Sequence, residues 1–433
     1  RMRRLGSILL WSVIAAAFIG PGTVTTAASA GASFGLALLW ALVFSTGACL
    51  VLQEASARLT VVSGRNLGQA LREQYQQGPQ KGAVLLLVLG AVIIGCAAYE
   101  AGNILGGVSG AVMATGWPAP VLTALSGVIA GVLLWRNPPQ TVARSLSVVV
   151  AVMGVAFLCT AFLQKPPLGE LVRASLVPSM PAGSGILVLG LVGTTVVPYN
   201  VFLGSGLARG QGLRDLRIGL IVAVGLGGLI SMAVLVTGTA VEGQFSFVAL
   251  SRVLAERLGG WASSLFAIGL LGAGLSSAIT APLAAAVTAR SLLEKEGEEE
   301  RWSSTSWRYR AVWLGVLGIG LGFGLSGIRP VPAIILAQAL NGLLLPLVAV
   351  FLFLAVNDRR LMGGAVNGWL ANLVTTGVVW VSLLLGLSAI SRAFVSALDL
   401  PLPPGSWLVW AASLLTLLLA VPAFRFKRGQ SSK

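Results

Sequence analysis

Apolar stretches of about 20 residues, the length that carries an α-helix across a bilayer, recur along this chain. Short connections holding nearly all of its charge separate them. This alternation constrains the fold more than any local motif. Within hydrocarbon each segment has to satisfy its own backbone hydrogen bonds, which a helix does and a loop does not. The chain is 56% hydrophobic and 10% charged, against about 45 to 50% apolar and about 25% charged in a soluble domain. Hydropathy minima read as connections place twelve spans at 6–31, 35–60, 82–113, 118–135, 142–163, 185–208, 216–241, 262–293, 308–327, 330–355, 366–388 and 405–424.

An even number of spans puts both termini on one side, and basic residues decide which side that is. With the termini inside, most of the 29 basic residues fall on inner segments. The outer loops hold only Lys165, Arg173, Arg252, Arg257, Arg329 and Arg392. The expectation is therefore a multi-pass protein of a bacterial inner (plasma) membrane with cytoplasmic termini. The net charge of +15 belongs to residues flanking spans, where it faces anionic headgroups, so nucleic acid is excluded as a partner. The first apolar run has no cleavage-type ending and reads as part of the fold. Cys49, Cys96 and Cys159 all fall inside spans without a spacing motif, which reads as three small buried hydrophobes. No cofactor is expected. The absence of histidine and of an activating partner for any cysteine argues against an enzyme. No nucleotide-binding loop occurs either, which disfavours ATP-driven pumping.

No connection is long enough to fold alone, so a single domain over 1–433 is expected. The acidic run Glu294, Glu296, Glu298, Glu299 and Glu300 reads as a solvated loop. More informative is an internal echo. FIGPGTVTTAASAG, Phe18 to Gly31, has a mid-span proline, adjacent threonines and a small-residue second half. LVGTTVVPYNVFLGSG, Leu191 to Gly206, repeats that pattern five spans later. Proline removes a backbone donor and clashes with the preceding turn, and glycine relaxes the chain. Either proline alone reads as an ordinary kink, because membrane helices tolerate proline. A pair of them five spans apart points to an inverted repeat. Such repeats, here 1–163 and 185–355 followed by spans at 366–424, characterise the LeuT-like fold, in which spans 1 and 6 are discontinuous and freed backbone groups meet the substrate.

The chain also resembles the Nramp family of proton-coupled divalent-metal transporters. The resemblance is carried by AGASFG at Ala30 to Gly35, LQEASARLTVVSGRNLGQAL at Leu52 to Leu71 and PSMP at Pro178 to Pro181. It continues through VVPYN, GAGLSSA at Gly272 to Ala278 and NDRRLMGG at Asn357 to Gly364. It implies an all-α, LeuT-like transporter. The site departs from the family pattern. Where the family breaks span 1 with Asp-Pro-Gly-Asn, this chain has Gly20, Pro21, Gly22 and Thr23. Where span 6 breaks at Met-Pro-His, it has Val197, Pro198 and Tyr199. A second family histidine falls on Gly204, and the acidic positions of span 3 fall on Tyr99 and Gly102, with Glu100 between them.

Transition metals favour imidazole and sulfur, and stripping a divalent ion of water requires negative charge. Gly20, Thr23, Thr26, Val197, Tyr199, Asn200, Tyr99, Gln338 and Asn341 are the candidate substrate-binding positions, and none carries a charge. Thr25, Ser276, Ser277 and Thr280 are further polar candidates, each equally able to bond a neighbouring helix. Among acids only Glu54 and Glu100 lie well within spans. Glu54 has Arg58 at i+4, a pairing distance, and is otherwise a gate candidate. Glu100 has no basic residue expected at its depth, so it is a candidate for coupling, for a bond to substrate, or for bonding a neighbouring helix. The leading expectation is a secondary active transporter of a small polar solute, coupled to a proton or ion, with Mn2+ and Fe2+ disfavoured. Two alternatives stay open: a divalent-ion transporter of altered selectivity, for example for hydrated Mg2+, and a non-transporting membrane sensor.

Overall fold

The computed structural model describes residues 19–74, 81–136, 140–295, 297–397 and 405–425. The part of the first span before Ile19, Glu296 of the acidic run and the chain after Arg425 lie outside the described residues. Among the described residues every regular element is a helix. In chain order they are α1 (Pro21–Phe34), α2 (Leu39–Ser63), α3 (Leu67–Gln74), α4 (Lys81–Thr115), α5 (Ala119–Arg136) and α6 (Gln140–Leu163). There follow α7 (Leu168–Leu176), α8 (Gly185–Thr195), α9 (Pro198–Leu207), α10 (Leu213–Gly238), α11 (Phe247–Leu258) and α12 (Trp261–Leu293). The chain ends with α13 (Trp307–Leu325), α14 (Pro330–Asn357), α15 (Arg359–Met362), α16 (Trp369–Ala397) and α17 (Gly405–Arg425).

Nine spans among the described residues are long and apolar enough to cross a membrane, with Gly185–Gly206 counting as one across the gap between α8 and α9. Of the remaining expected spans, α13 carries Arg308 and Arg310 in its first turn and the apolar part of α17 is Gly405–Ala420. The first is described from Ile19 onward. Phe162, Leu86 and Trp410 are among many large apolar side chains left exposed. In a membrane these face lipid and not water.

Hydropathy missed the helices inside the connections. The segments 61–81, 164–184 and 242–261 contain α3, α7 and α11, whose one-sided apolar character a sliding average cancels. Ser246 caps α11 by accepting from the Ala249 amide at 3.1 Å. Expected ends also shift. The span placed at 366–388 runs as α16 to Ala397, because no glycine or proline interrupts the sequence between Gly386 and Pro401. Cys159 is exposed, unlike Cys49 and Cys96, since it falls on the outward face of α6. The described acidic residues are partly paired: Glu294 with Arg290 at 3.1 Å and Glu298 with Arg301 at 2.9 Å.

The helices at the centre approach through glycine. A Cβ on Gly31 of α1 would run into the Leu235 carbonyl of α10, and one on Gly238 of α10 would meet the Ala28 backbone. Gly193 of α8 lies against Gly342 of α14, and Gly107 of α4 against Gly274 of α12. Small residues at crossings let backbones touch, the main route to helix association where lipid removes the hydrophobic drive. These crossings set α1 against α10, α8 against α14 and α4 against α12, while α9 packs on α2 and α12.

Candidate functional site

The helix starts expected at both breaks occur in the described chain. Ile19 and Gly20 are non-helical, Gly20 is extended (φ −82°, ψ 169°), and α1 begins at Pro21. Val196 and Val197 separate α8 from α9 halfway along Gly185–Gly206, and α9 begins at Pro198. In each case proline occupies the first helical position, where its missing N–H costs nothing and its fixed φ suits the helix. The opening amides of α1 and α9 and the closing carbonyls of α8 lack intrahelical partners by geometry. The helix dipoles add positive ends at α1 and α9 and a negative end at α8.

Side chains tie the two breaks together. The Thr23 and Thr194 hydroxyls lie 2.8 Å apart, both buried. Thr25 turns back to donate to the Pro21 carbonyl at 2.7 Å, so its hydroxyl is satisfied within α1. Thr26 is fully buried beside Gly190, and its hydroxyl has no hydrogen-bond partner. From α4, Tyr99 meets Tyr199 of α9 edge to face, ring centroids 5.4 Å apart. Gly106 of the same helix lies against the Pro21 ring.

Gln338 of α14 stands at the middle of this junction. It is fully buried, and neither its amide nitrogen nor its amide oxygen has a partner. Its side chain fills the space beside Gly22 that a Cβ there would need, and its Nε2 lies 3.4 Å from where Gly102 would place one. Asn341, one turn on, donates Nδ2 to the Ala337 carbonyl at 3.2 Å while its Oδ1 is unpartnered, facing Gly95. The glycines at 22, 95 and 102 are therefore what admits the two carboxamides.

The remaining candidates divide. Gly20, Thr23, Thr26, Val197, Tyr199, Tyr99, Gln338 and Asn341 all surround this junction, and Asn200 is the third residue of α9, its backbone N–H donating to the Val197 carbonyl at 3.0 Å. Thr280 donates to the Ser276 carbonyl at 2.9 Å within α12. Glu100 is fully buried but occupies the neighbouring face of α4, packed on Gly320 of α13, with Asn103 Nδ2 3.5 Å from one carboxyl oxygen and no partner on the other. Glu54 pairs with Arg58 at 3.2 Å, the distance its spacing implies, and also with Arg217 of α10 at 2.7 Å. Sequence reasoning missed Thr194, Arg217 and Asn367. All three are partners from distant segments, and only the second TT of the internal echo hinted at the first.

A multi-pass helical chain in which two proline-started helices meet at a polar, buried junction defines a membrane transporter of LeuT-like fold. Solved structures agree on the fold. A mutant of the Eremococcus coleocola manganese transporter superposes with a TM-score of 0.71 at 18% identity, over 97% of this chain and 93% of that one. MhsT in complex with L-phenylalanine superposes with a TM-score of 0.60 at 14% identity, over 89% and 97%.

The profile described as Natural resistance-associated macrophage protein-like matches residues 12–392, and the chain belongs to the Nramp family. Its relatives include the divalent metal cation transporter MntH of Deinococcus radiodurans, 30% identical over 387 residues covering 84% of this chain and 85% of the relative. MntH of Acidiphilium cryptum is 27% identical over 413 residues, covering 90% and 91%. Both relatives are named as transporters.

Proposed function

We propose that this protein is a secondary active transporter that moves a small polar solute by alternating access around the paired break, and that Mn2+ and Fe2+ are not its cargo. The observation carrying this reading is Gln338. A buried carboxamide with donor and acceptor both unpaired costs free energy, and a ligand presenting one acceptor and one donor beside Gly22 and Gly102 removes that cost. The positive ends of α1 and α9 favour an anionic or electron-rich group on the same ligand, and the Tyr99 and Tyr199 rings wall the site.

The donor set supports the exclusion of transition metals. The junction offers hydroxyls, carboxamides and backbone groups, and no three His, Cys, Asp or Glu side chains converge among the described residues. Neutral oxygens are weak competition for the water around Mn2+ or Fe2+. The relatives named as divalent metal cation transporters favour a second reading, a divalent ion that keeps its water shell. Mg2+ dehydrates reluctantly and suits that role. Uptake into proteoliposomes together with calorimetry against Mn2+, Fe2+ and Mg2+ separates the readings. Saturable Mn2+ or Fe2+ uptake refutes the first, and saturable Mg2+ uptake alone selects the second. A thermal-stability screen against anions, amino acids and sugars identifies the solute class, because a ligand binding only the native state raises apparent stability.

The proposal includes proton coupling through Glu100, a carboxyl group with one oxygen unpartnered and Tyr99 adjacent in sequence. Glu100→Gln is expected to abolish the pH dependence of transport, and an unchanged profile refutes this role. The proposed topology is one integral membrane domain, with repeats 1–163 and 185–355, in a bacterial inner membrane with both termini cytoplasmic.

A further inference from the structure

The cluster of Glu54, Arg58 and Arg217 closes one end of a groove whose lining includes none of the residues at the Gln338 junction. The groove runs between α2, α10 and α16 and encloses about 440 Å3. Leu50, Val51, Leu220, Ile221, Leu370 and Val374 form its walls. Ile221, Leu370 and Val374 are all exposed, so in a membrane the trough opens sideways onto hydrocarbon. Its polar end lies where α2 finishes, α10 starts and the chain enters α16, the side of the bundle on which Arg65, Arg209, Arg214, Arg359 and Arg360 also fall.

Charge at that end does not balance. Arg58 Nε donates to Glu54 at 3.2 Å, and Arg217 donates to the same Oε1 through Nε at 3.0 Å and Nη2 at 2.7 Å. Two guanidinium groups thus share one carboxylate. The remaining nitrogens of Arg58 are held by the Ala365 carbonyl at 2.8 Å and by Asn367 Oδ1 at 2.5 Å. The Arg217 side chain is 52% exposed. Asn367 lines the groove, is 2% exposed, and has no partner for its Nδ2. A buried amide donor left unpaired at the polar end of an apolar trough, next to excess positive charge, suits an anion that carries a hydrocarbon tail.

We propose that the groove binds one anionic phospholipid from the leaflet on the basic side of the bundle. Its phosphate would meet Arg217 and the Asn367 amide, and an acyl chain would lie along Ile221, Leu370 and Val374. A zwitterionic headgroup places a cation beside two arginines, and a free anion leaves the trough unfilled, so an anionic lipid fits the charge and the apolar walls together. The site joins α10 to α2 and α16 and is separate from the junction at Gln338.

The test uses the full chain in neutral detergent, with phosphatidylglycerol or phosphatidylcholine added in steps and read by thermal unfolding and native mass spectrometry. Phosphatidylglycerol is expected to remain bound and to raise the unfolding temperature more than phosphatidylcholine. Arg217→Gln should weaken the phosphatidylglycerol effect about fivefold, the value of one arginine at an anionic surface. Ala371→Phe, which fills the trough without touching a charge, should abolish the adduct. Equal effects of the two lipids overturn the proposal, as does a phosphatidylglycerol preference that survives both substitutions. Glycerol phosphate alone reproducing the shift also overturns it.

Discussion

Replacing Gln338 with methionine separates the stability of the junction from its use. The native side chain is fully buried, with Nε2 and Oε1 both unpartnered, pressed against Gly22 and Gly102. Leaving a buried polar group unsatisfied costs about 1 to 3 kcal/mol. Methionine keeps the length and unbranched shape of the side chain while removing both polar atoms, and its flexible thioether adapts to irregular space. Gln338→Met is therefore expected to stabilise the protein by about 1 to 3 kcal/mol and to weaken solute binding about tenfold or more, since one lost hydrogen bond at a desolvated site is worth that much. Equilibrium unfolding in mixed micelles measures the first quantity. Ligand-dependent stabilisation by the solute found in the screen measures the second. The opposite stability result, a loss of 1 kcal/mol or so, refutes the reasoning, because it means that the carboxamide is satisfied in the native state. Unchanged affinity with raised stability removes Gln338 from the binding site while leaving the physical account of its burial intact.

Three further outcomes follow from particular contacts. Thr23→Val and Thr194→Val should couple by about 0.6 to 1.7 kcal/mol in a double-mutant cycle, the range of interhelical hydrogen bonds in membranes, and strict additivity removes the bond between the two breaks. Arg58→Gln strips Glu54, the Ala365 carbonyl and Asn367 of a buried donor. It should cost about 3 kcal/mol in the same unfolding assay, far more than Arg308→Gln at an exposed position in the first turn of α13. Gly274→Val, which would force the α12 backbone away from Gly107 and the Asn103 carbonyl, should destabilise by about 1 to 3 kcal/mol. Gly315→Val, with nothing near its Cβ position, serves as the control.

Much of this protein is set by one-dimensional chemistry. Apolar runs of membrane length force helices because hydrocarbon offers the backbone no other partner. At Pro21 and Pro198 a proline opens a new helix, whereas Pro282 and Pro346 lie inside the continuous α12 and α14. The helical class and the Glu54–Arg58 pair at one-turn spacing are local effects that the sequence alone determined, and the echo of FIGPGTVTTAASAG in LVGTTVVPYN marked which two prolines open a helix. It also determined that no histidine enters the site, since the chain contains none.

Partners decided by rotation and crossing about helix axes are a different matter. Glu100 and Tyr99 are neighbours in sequence, yet a residue step of about 100° sends one to Gly320 on α13 and the other to Tyr199 on α9. Nothing in the run GCAAYEAGN says which faces the junction. Gln338 is one polar residue in an apolar helix until the glycines at 22 and 102 open the space beside it, and Arg217 belongs to an ordinary basic loop until α10 brings it to Glu54. Tertiary structure alone assembled those contacts, because each depends on which faces of separate helices the glycine crossings press together, a choice that is settled by packing and not by any single segment.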